Sequence, residues 1–278
     1  MAMQGKVVVV TGASMGIGEE IARIFVREGA SVVLASREQG RVEDARRRLG
    51  DEHNSFAVAC DVRERSQIDN LVQQTIQRFG RIDVWVNNAG YGLVGSIEKM
   101  SMEECRRMFD TNLFGAVECM QAVIPVMKRQ RSGAIFNISS VAGHIAVPYM
   151  AAYGATKHAL NCFSKAARLE LREAGIDVIT ICPGYVNTNF NRNAVRGEDE
   201  RQVSANLKRG ITPDRVAEAV LRAYQDRSRE VIVPRSNVAL VLFYALAPFV
   251  IEWGMMKFMG GREKKQTSGA RAPESATP

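Results

Sequence analysis

The pair of residues best suited to chemistry is Tyr153 and Lys157, four apart in the stretch Ala151 to Leu160, whose small and apolar residues predict a helix. That spacing sets the two side chains one turn apart on a shared face. A free phenol titrates near ~10, so it exchanges protons poorly at neutral pH. A fixed ammonium one turn away favours the phenolate and draws that value down. Lowering it by about three units takes roughly 4 kcal/mol, which a cation and a helix N-terminus can supply together. Such a pair offers proton transfer to or from a reacting oxygen. The competing reading is a surface Tyr and Lys with accidental spacing, and the elements around them must decide.

Those elements begin at Lys6 to Val10, a β-branched run of the kind buried on both faces of a parallel sheet. It leads into Thr11-Gly12-Ala13-Ser14-Met15-Gly16-Ile17-Gly18 and then a helical pattern over 19–28. Strand, glycine-rich turn and helix form the setting of a dinucleotide fingerprint, here spaced G-x-x-x-G-x-G. The glycines admit a pyrophosphate close to the backbone, and the helix start offers free N–H groups to it. A second strand, Ser31 to Ala35, ends at Ser36-Arg37. An NAD-selective site usually carries an acidic residue there. Ser36 has no charge to repel a phosphate and Arg37 can pair with one, so NADP(H) is the expected cofactor. The competing role for Arg37 is a solvated residue opening the next helix.

A charged helix spans 38–49. A third strand over 56–60 ends in Asp61-Val62, where Asp61 can accept from an adenine amino group or cap the next helix. An amphipathic helix runs to Phe79, and a fourth strand, 84–86, delivers Asn87-Asn88-Ala89-Gly90. Strands alternating with helices at this spacing predict an α/β protein, a doubly wound parallel sheet between two helical layers, α/β/α.

Composition narrows the class. A chain of 278 residues, 46% hydrophobic, is long enough for one large domain with a sizeable core. The five cysteines form no Cys-x-x-Cys pair and there are three histidines, so neither a disulfide framework nor a metal site is expected. The N-terminus enters its first strand at once, with no room for a cleaved leader. A reducing, cytoplasmic setting is the expectation. The formal charge of +7 has no basic stripe interleaved with aromatics behind it, so nucleic acid is not an expected partner.

In their order, the Thr11–Gly18 turn, Asp61, Asn88-Ala89-Gly90, Asn112, Ser140, Tyr153 with Lys157, and Pro183-Gly184 with Thr188 resemble the short-chain dehydrogenase/reductase family. The match covers roughly 6–233, in the family's single-domain subgroup. The resemblance implies a Rossmann fold and a catalytic set of Asn112, Ser140, Tyr153 and Lys157. Tyr153 would be the acid/base, Lys157 would lower its pKa and bond the nicotinamide ribose, and Ser140 would orient the substrate oxygen. Asn112 would disturb its helix locally and hold a water that passes protons to Lys157. Ser139 is the neighbour open to confusion with Ser140, but strand alternation turns the two to opposite faces. Cofactor contacts would come from Gly12, Ser14, Met15, Gly16, Ile17, Gly18, Ser36, Arg37, Asp61, Val62, Asn88, Ala89 and Gly90. Tyr153, Lys157, Pro183, Gly184, Val186 and Thr188 would add the nicotinamide side, Thr188 by bonding the carboxamide. The implied reaction is metal-free hydride transfer between NADP(H) and a carbonyl/alcohol pair, with reduction the expected direction. A homo-oligomer, dimer or tetramer, is also implied. The competing class is a nucleotide-sensing protein of this fold without turnover.

By the same resemblance the polar stretch 185–212 is a substrate lid. Tyr185, Phe190, Val141, Val147 and Tyr149 are candidates for the pocket wall or plain core, with Tyr185 joining Ser140 and Tyr153 as expected substrate contacts. His144 either faces that pocket or is a loop histidine. The catalytic domain is expected over 1–235, an apolar helical extension over 236–260, and a disordered tail over 261–278. Within the extension, Val238 to Ile251 is an apolar run of 14 residues, short of the ~20 that span a bilayer, with Pro248 and Glu252 interrupting it. Subunit packing or a cover over the substrate entrance, a peripheral membrane patch over 238–259, and a transmembrane span compete for it. The first two favour a bulky lipophilic substrate.

Overall fold

The computed structural model describes residues 3–51, 53–190, 194–196 and 210–257. Much of the expected lid and the whole expected tail lie outside the described residues. The chain divides into two compact units between Asn237 and Val238.

In the first unit, β1 (Val7–Thr11), α1 (Gly16–Arg27), β2 (Ser31–Ser36), α2 (Gln39–Leu49) and β3 (Ser55–Ala59) alternate without interruption. Then come α3 (Arg65–Phe79), β4 (Val84–Asn87), the two-residue β5 (Leu93–Val94) and α4 (Met102–Phe109). One π-helical turn, Asp110–Phe114, joins α4 to α5 (Gly115–Gln130). β6 (Gly133–Ile138), α6 (Ala151–Glu170), β7 (Ile176–Pro183), the two-residue β8 (Val195–Arg196), α7 (Pro213–Gln225) and β9 (Glu230–Val233) complete it.

Seven strands form one parallel sheet in the order β3-β2-β1-β4-β6-β7-β9. Every residue of β1 is buried, because helices cover both of its faces. Its alternation sorts the core: Val8 and Val10 pack with Ile21 and Phe25 of α1, Val42 of α2 and Val220 of α7. Val9 faces the other way, with Ile68 and Leu71 of α3 and Val123 of α5. This is the doubly wound Rossmann architecture, three layers deep. The strand order reverses between β1 and β4, and the carboxyl ends of the strands there open the crevice where such sheets take ligands.

Two features go beyond strand and helix patterning, the second at Asn112, where the family resemblance implies a local disturbance of the helix. β5 and β8 pair in parallel as a separate small sheet, tying the residues after Gly90 to the segment after β7. The π-turn inserts an extra residue between two helices that would otherwise run on as one.

In the second unit, α8 (Ser236–Leu246, beginning at the end of the first unit) and α9 (Pro248–Lys257) bend by 109° at their junction. No single helix among the described residues is long and apolar enough to cross a membrane. Leu246, Phe249 and Trp253 are exposed, and the Lys257 ammonium sits 3.9 Å from the centre of the Trp253 ring.

Candidate active site

The glycine turn is built around β4. Asn88 Nδ2 donates to the carbonyls of Thr11 (3.0 Å) and Gly12 (3.1 Å), while Thr11 Oγ1 accepts from the amides of Asn88 and Ala89. A Cβ on Gly18 would collide with the Asn88 amide and the Gly12 carbonyl, and Gly12 itself sits at φ +63. These positions need glycine so that the turn and Asn88 can interlock. The side chain at the N-cap of α1, Met15, makes no capping bond, and the start of a helix offers its leading amides to an anion. Thr188 approaches the same turn, close to where a Cβ of Gly16 would lie. A glycine cradle, an uncapped helix start and Thr188 on its far side fit the diphosphate and nicotinamide ends of a dinucleotide.

At the adenosine end, Ser36 is buried and its Oγ faces the Glu38 carbonyl at 3.5 Å, while Arg37 is exposed. Asp61 neither caps α3, whose N-cap is Glu64, nor keeps its carboxylate free. It accepts from the Arg63 amide (3.1 Å) and guanidinium (3.0 Å to Oδ1). Burial works against the Asp61 carboxylate, but the Arg63 hydrogen bonds and the charges of Arg63 and Arg37 together hold its pKa below the usual value. Arg63 therefore belongs to this end of the cradle. Arg48 does too, donating to the Ser14 carbonyl (3.2 Å) while forking Glu19. Neither arginine is among the site residues expected from the sequence, although Arg63 stands two residues from Asp61, a local signal. By contrast, α2 is rich in arginine, and only folding selects Arg48 as the one that reaches the turn.

The expected catalytic residues converge. Ser140 follows β6 in extended conformation; its Oγ accepts from the Ala142 amide (3.1 Å) and donates to the Pro183 carbonyl (3.4 Å). Ser139 is turned the other way, its hydroxyl toward the Lys157 carbonyl (3.4 Å). Tyr153 and Lys157 lie in the first two turns of α6, both buried. Lys157 Nζ donates to the Ile138 carbonyl at 2.8 Å and lies 5.7 Å from the centre of the Tyr153 ring. Asn112, in the π-turn, exchanges two hydrogen bonds with the Tyr91 backbone, Nδ2 to O at 2.9 Å and N to Oδ1 at 3.0 Å. A Cβ on Gly90 would lie 3.0 Å from Asn112 Oδ1 and 3.9 Å from Lys157 Nζ. Asn88-Ala89-Gly90 thus links the glycine turn to Lys157.

One expectation is reversed. Burial pushes the Tyr153 phenol up to about 12, an effect its hydrogen bond with Ser140 only partly offsets, and burial brings Lys157 down to about 8. The ammonium is aimed at the Ile138 carbonyl, so in the protein alone it does not draw the phenol toward neutrality. The phenol holds its proton through neutral pH, as a proton donor requires.

Around Tyr153, an apolar cluster includes Leu93, Met108, Ala152, Val147 and Phe190. The Phe190 ring meets Tyr153 edge-on, with centres 5.5 Å apart. Tyr185 instead packs by Gly210, where a Cβ would strike its ring. His144 turns away from Tyr153, toward Cys182 and Glu230.

A family model described as short chain dehydrogenase matches residues 6–199. The chain is 34% identical over 275 residues to the dehydrogenase/reductase SDR family member 7B of Xenopus laevis, covering 95% of this chain and 84% of that protein. The Drosophila melanogaster dehydrogenase/reductase SDR family protein 7-like is 31% identical over 277 residues, covering 95% and 85%. Among solved structures, a short-chain dehydrogenase/reductase from Burkholderia phymatum in complex with NAD aligns with a TM-score of 0.82 at 26% identity, over 90% of this chain and 96% of that one. A 3-ketoacyl-(acyl-carrier-protein) reductase from Brucella melitensis complexed with NADH gives 0.75 at 29% identity, over 83% and 97%. The chain belongs to the short-chain dehydrogenase/reductase family of oxidoreductases.

Proposed function

We propose that this protein reduces a ketone or aldehyde in a lipophilic molecule with NADP(H), Tyr153 supplying the proton. The observation that carries this reading is the buried Tyr153 beside Ser140, facing an apolar wall that includes Phe190. When bound, the dinucleotide supplies hydride to the carbonyl carbon. Ser140 Oγ holds the carbonyl oxygen within reach of the Tyr153 phenol, which donates its proton as negative charge develops there. Lys157 holds the ribose and keeps a positive charge beside the phenolate that results. Asn112 fixes the Tyr91 backbone next to it and relays protons through water.

The choice of NADP(H) rests on Ser36 and Arg37, since the two solved relatives above hold NAD and NADH. The relative named for a 3-ketoacyl substrate supports a ketone on an acyl chain as the substrate type. The apolar α8 and α9 support a lipophilic substrate met at a membrane surface, with the protein otherwise cytoplasmic and self-associating. A panel of ketones, aldehydes and alcohols followed by NADPH absorbance tests the reading. Turnover of bulky apolar carbonyls above small polar ones is expected. Cofactor binding without oxidation across the panel would overturn it.

A further inference from the structure

Three side chains of ligand type, distant in sequence, meet at the C-terminal edge of the sheet. His144 follows the short turn Val141–Gly143, Cys182 lies near the end of β7, and Glu230 opens β9. His144 Nε2 is 3.1 Å from Glu230 Oε1 and 3.4 Å from Cys182 Sγ, and the three ligand atoms lie within 4.8 Å of one another.

Hydrogen bonding alone does not account for this arrangement. The Asn161 amide nitrogen also approaches His144 Nε2, at 3.3 Å. Three groups thus crowd one ring nitrogen, which can donate one proton or accept one, never both. Asn161 is 4% exposed, and among the described residues its Oδ1 has no hydrogen-bond partner.

Two of the three ligand–ligand distances already suit a cation, and the third, between Cys182 Sγ and Glu230 Oε1, lies within 4.8 Å and closes as the carboxylate turns toward the ion. Zinc bonds of about 2.0 Å to nitrogen and oxygen and about 2.3 Å to sulfur, arranged tetrahedrally, separate N from O by about 3.3 Å and N from S by about 3.5 Å. The observed 3.1 and 3.4 Å fall within about 0.2 Å of those edges. A divalent ion with one thiolate, one carboxylate and one neutral imidazole carries no net charge, so it can be buried near Lys157 without opposing the ammonium. Cys182 is fully buried, whereas the His144 and Glu230 side chains are 14% and 24% exposed, which leaves an entry from the Glu230 side. Lys165 Nζ, 3.8 Å from Glu230 Oε2, steadies the second carboxylate oxygen.

We propose that His144 Nε2, Cys182 Sγ and Glu230 Oε1 bind a divalent transition-metal ion of the zinc type, with water completing the shell. The ion clamps the start of β9 to the end of β7. Cys182 immediately precedes Pro183-Gly184, so occupancy stiffens the backbone expected to pass the nicotinamide. The site stands apart from hydride transfer, and its test does not depend on a substrate.

The experiment uses the full-length, untagged chain, stripped with chelator and titrated with cobalt(II). A thiolate-to-cobalt charge-transfer band that saturates at one equivalent and is displaced by zinc(II) is expected. Cys182→Ser should abolish the band, while Cys162→Ser, at the exposed cysteine, should keep it. His144→Ala keeps the thiol in place and its ring lies nearer solvent, so it serves if Cys182→Ser fails to fold. It should weaken cobalt binding by about tenfold or more. Absence of the band in the parent protein, its survival in Cys182→Ser, its loss in Cys162→Ser, or unchanged affinity in His144→Ala would each overturn the proposal.

Discussion

Tyr153 and Lys157 are buried together, and burial shifts both toward their neutral forms. For Tyr153 that is the form a proton donor needs. Tyr153→Phe should lower turnover by about 10²–10⁴-fold with cofactor affinity little changed, as read by steady-state rates and NADPH fluorescence titration. For Lys157 the buried ammonium is a cost to the fold. Its ordinary pKa of 10.5 falls to about 8, so between those values the unfolded chain binds more protons and stability rises with pH. The full cost, at most about 3 kcal/mol, is present below pH 8. Lys157→Met should therefore abolish activity yet raise stability at pH 7 by about 2 kcal/mol, after the lost bond to the Ile138 carbonyl is set against it. In thermal melts that advantage should shrink as pH rises from 7 toward 10. At the adenosine end, Arg37→Asp should shift preference from NADPH toward NADH; an unchanged ratio of kcat/KM values would remove Arg37 from cofactor selection.

At the scale of elements, the site depends on β4 reaching across to the glycine turn. Asn88 bonds two carbonyls of that turn, and the chain beyond it runs on to Gly90, beside Asn112 and Lys157. Asn88→Ala removes both side-chain bonds and leaves the two carbonyls without that donor, a loss of about 1–3 kcal/mol. Cofactor affinity should fall more than tenfold while far-ultraviolet circular dichroism stays unchanged. A loss confined to melting temperature would show that Asn88 supports only the fold. The π-turn has an equally local cause. Asn112 must face the Tyr91 backbone, and the wider helical turn aims it there.

At the scale of the whole molecule, the seven-stranded sheet is complete at Val233, and the unit boundary falls after Asn237. Asn237 lies against Gly184, where a Cβ would strike its amide, so it belongs with the cofactor end of the sheet. A chain ending at Asn237 should melt within a few degrees of the full-length protein. It should lose binding to anionic vesicles, measured by co-sedimentation, because the apolar side chains of α8 and α9 and the basic residues beyond them are gone. Retained vesicle binding would remove the membrane from the account of this segment.

The sheet was legible in the sequence because each strand is a short apolar run bounded by turn residues, and burial on both faces requires that composition. The candidate set was legible because Tyr153 and Lys157 are local neighbours on one helix, and the motifs around them occur in a fixed order. Other features exist only once the chain has folded. Arg48 stands among many arginines of α2, and long-range packing alone selects it for Ser14. The direction of the Tyr153 shift follows from how deeply the phenol is buried and where the Lys157 ammonium points, which spacing does not encode. His144, Cys182 and Glu230 lie 38 residues or more apart, with no motif joining them. The parallel pairing of β6, β7 and β9 is what brings them within bonding distance of a single ion.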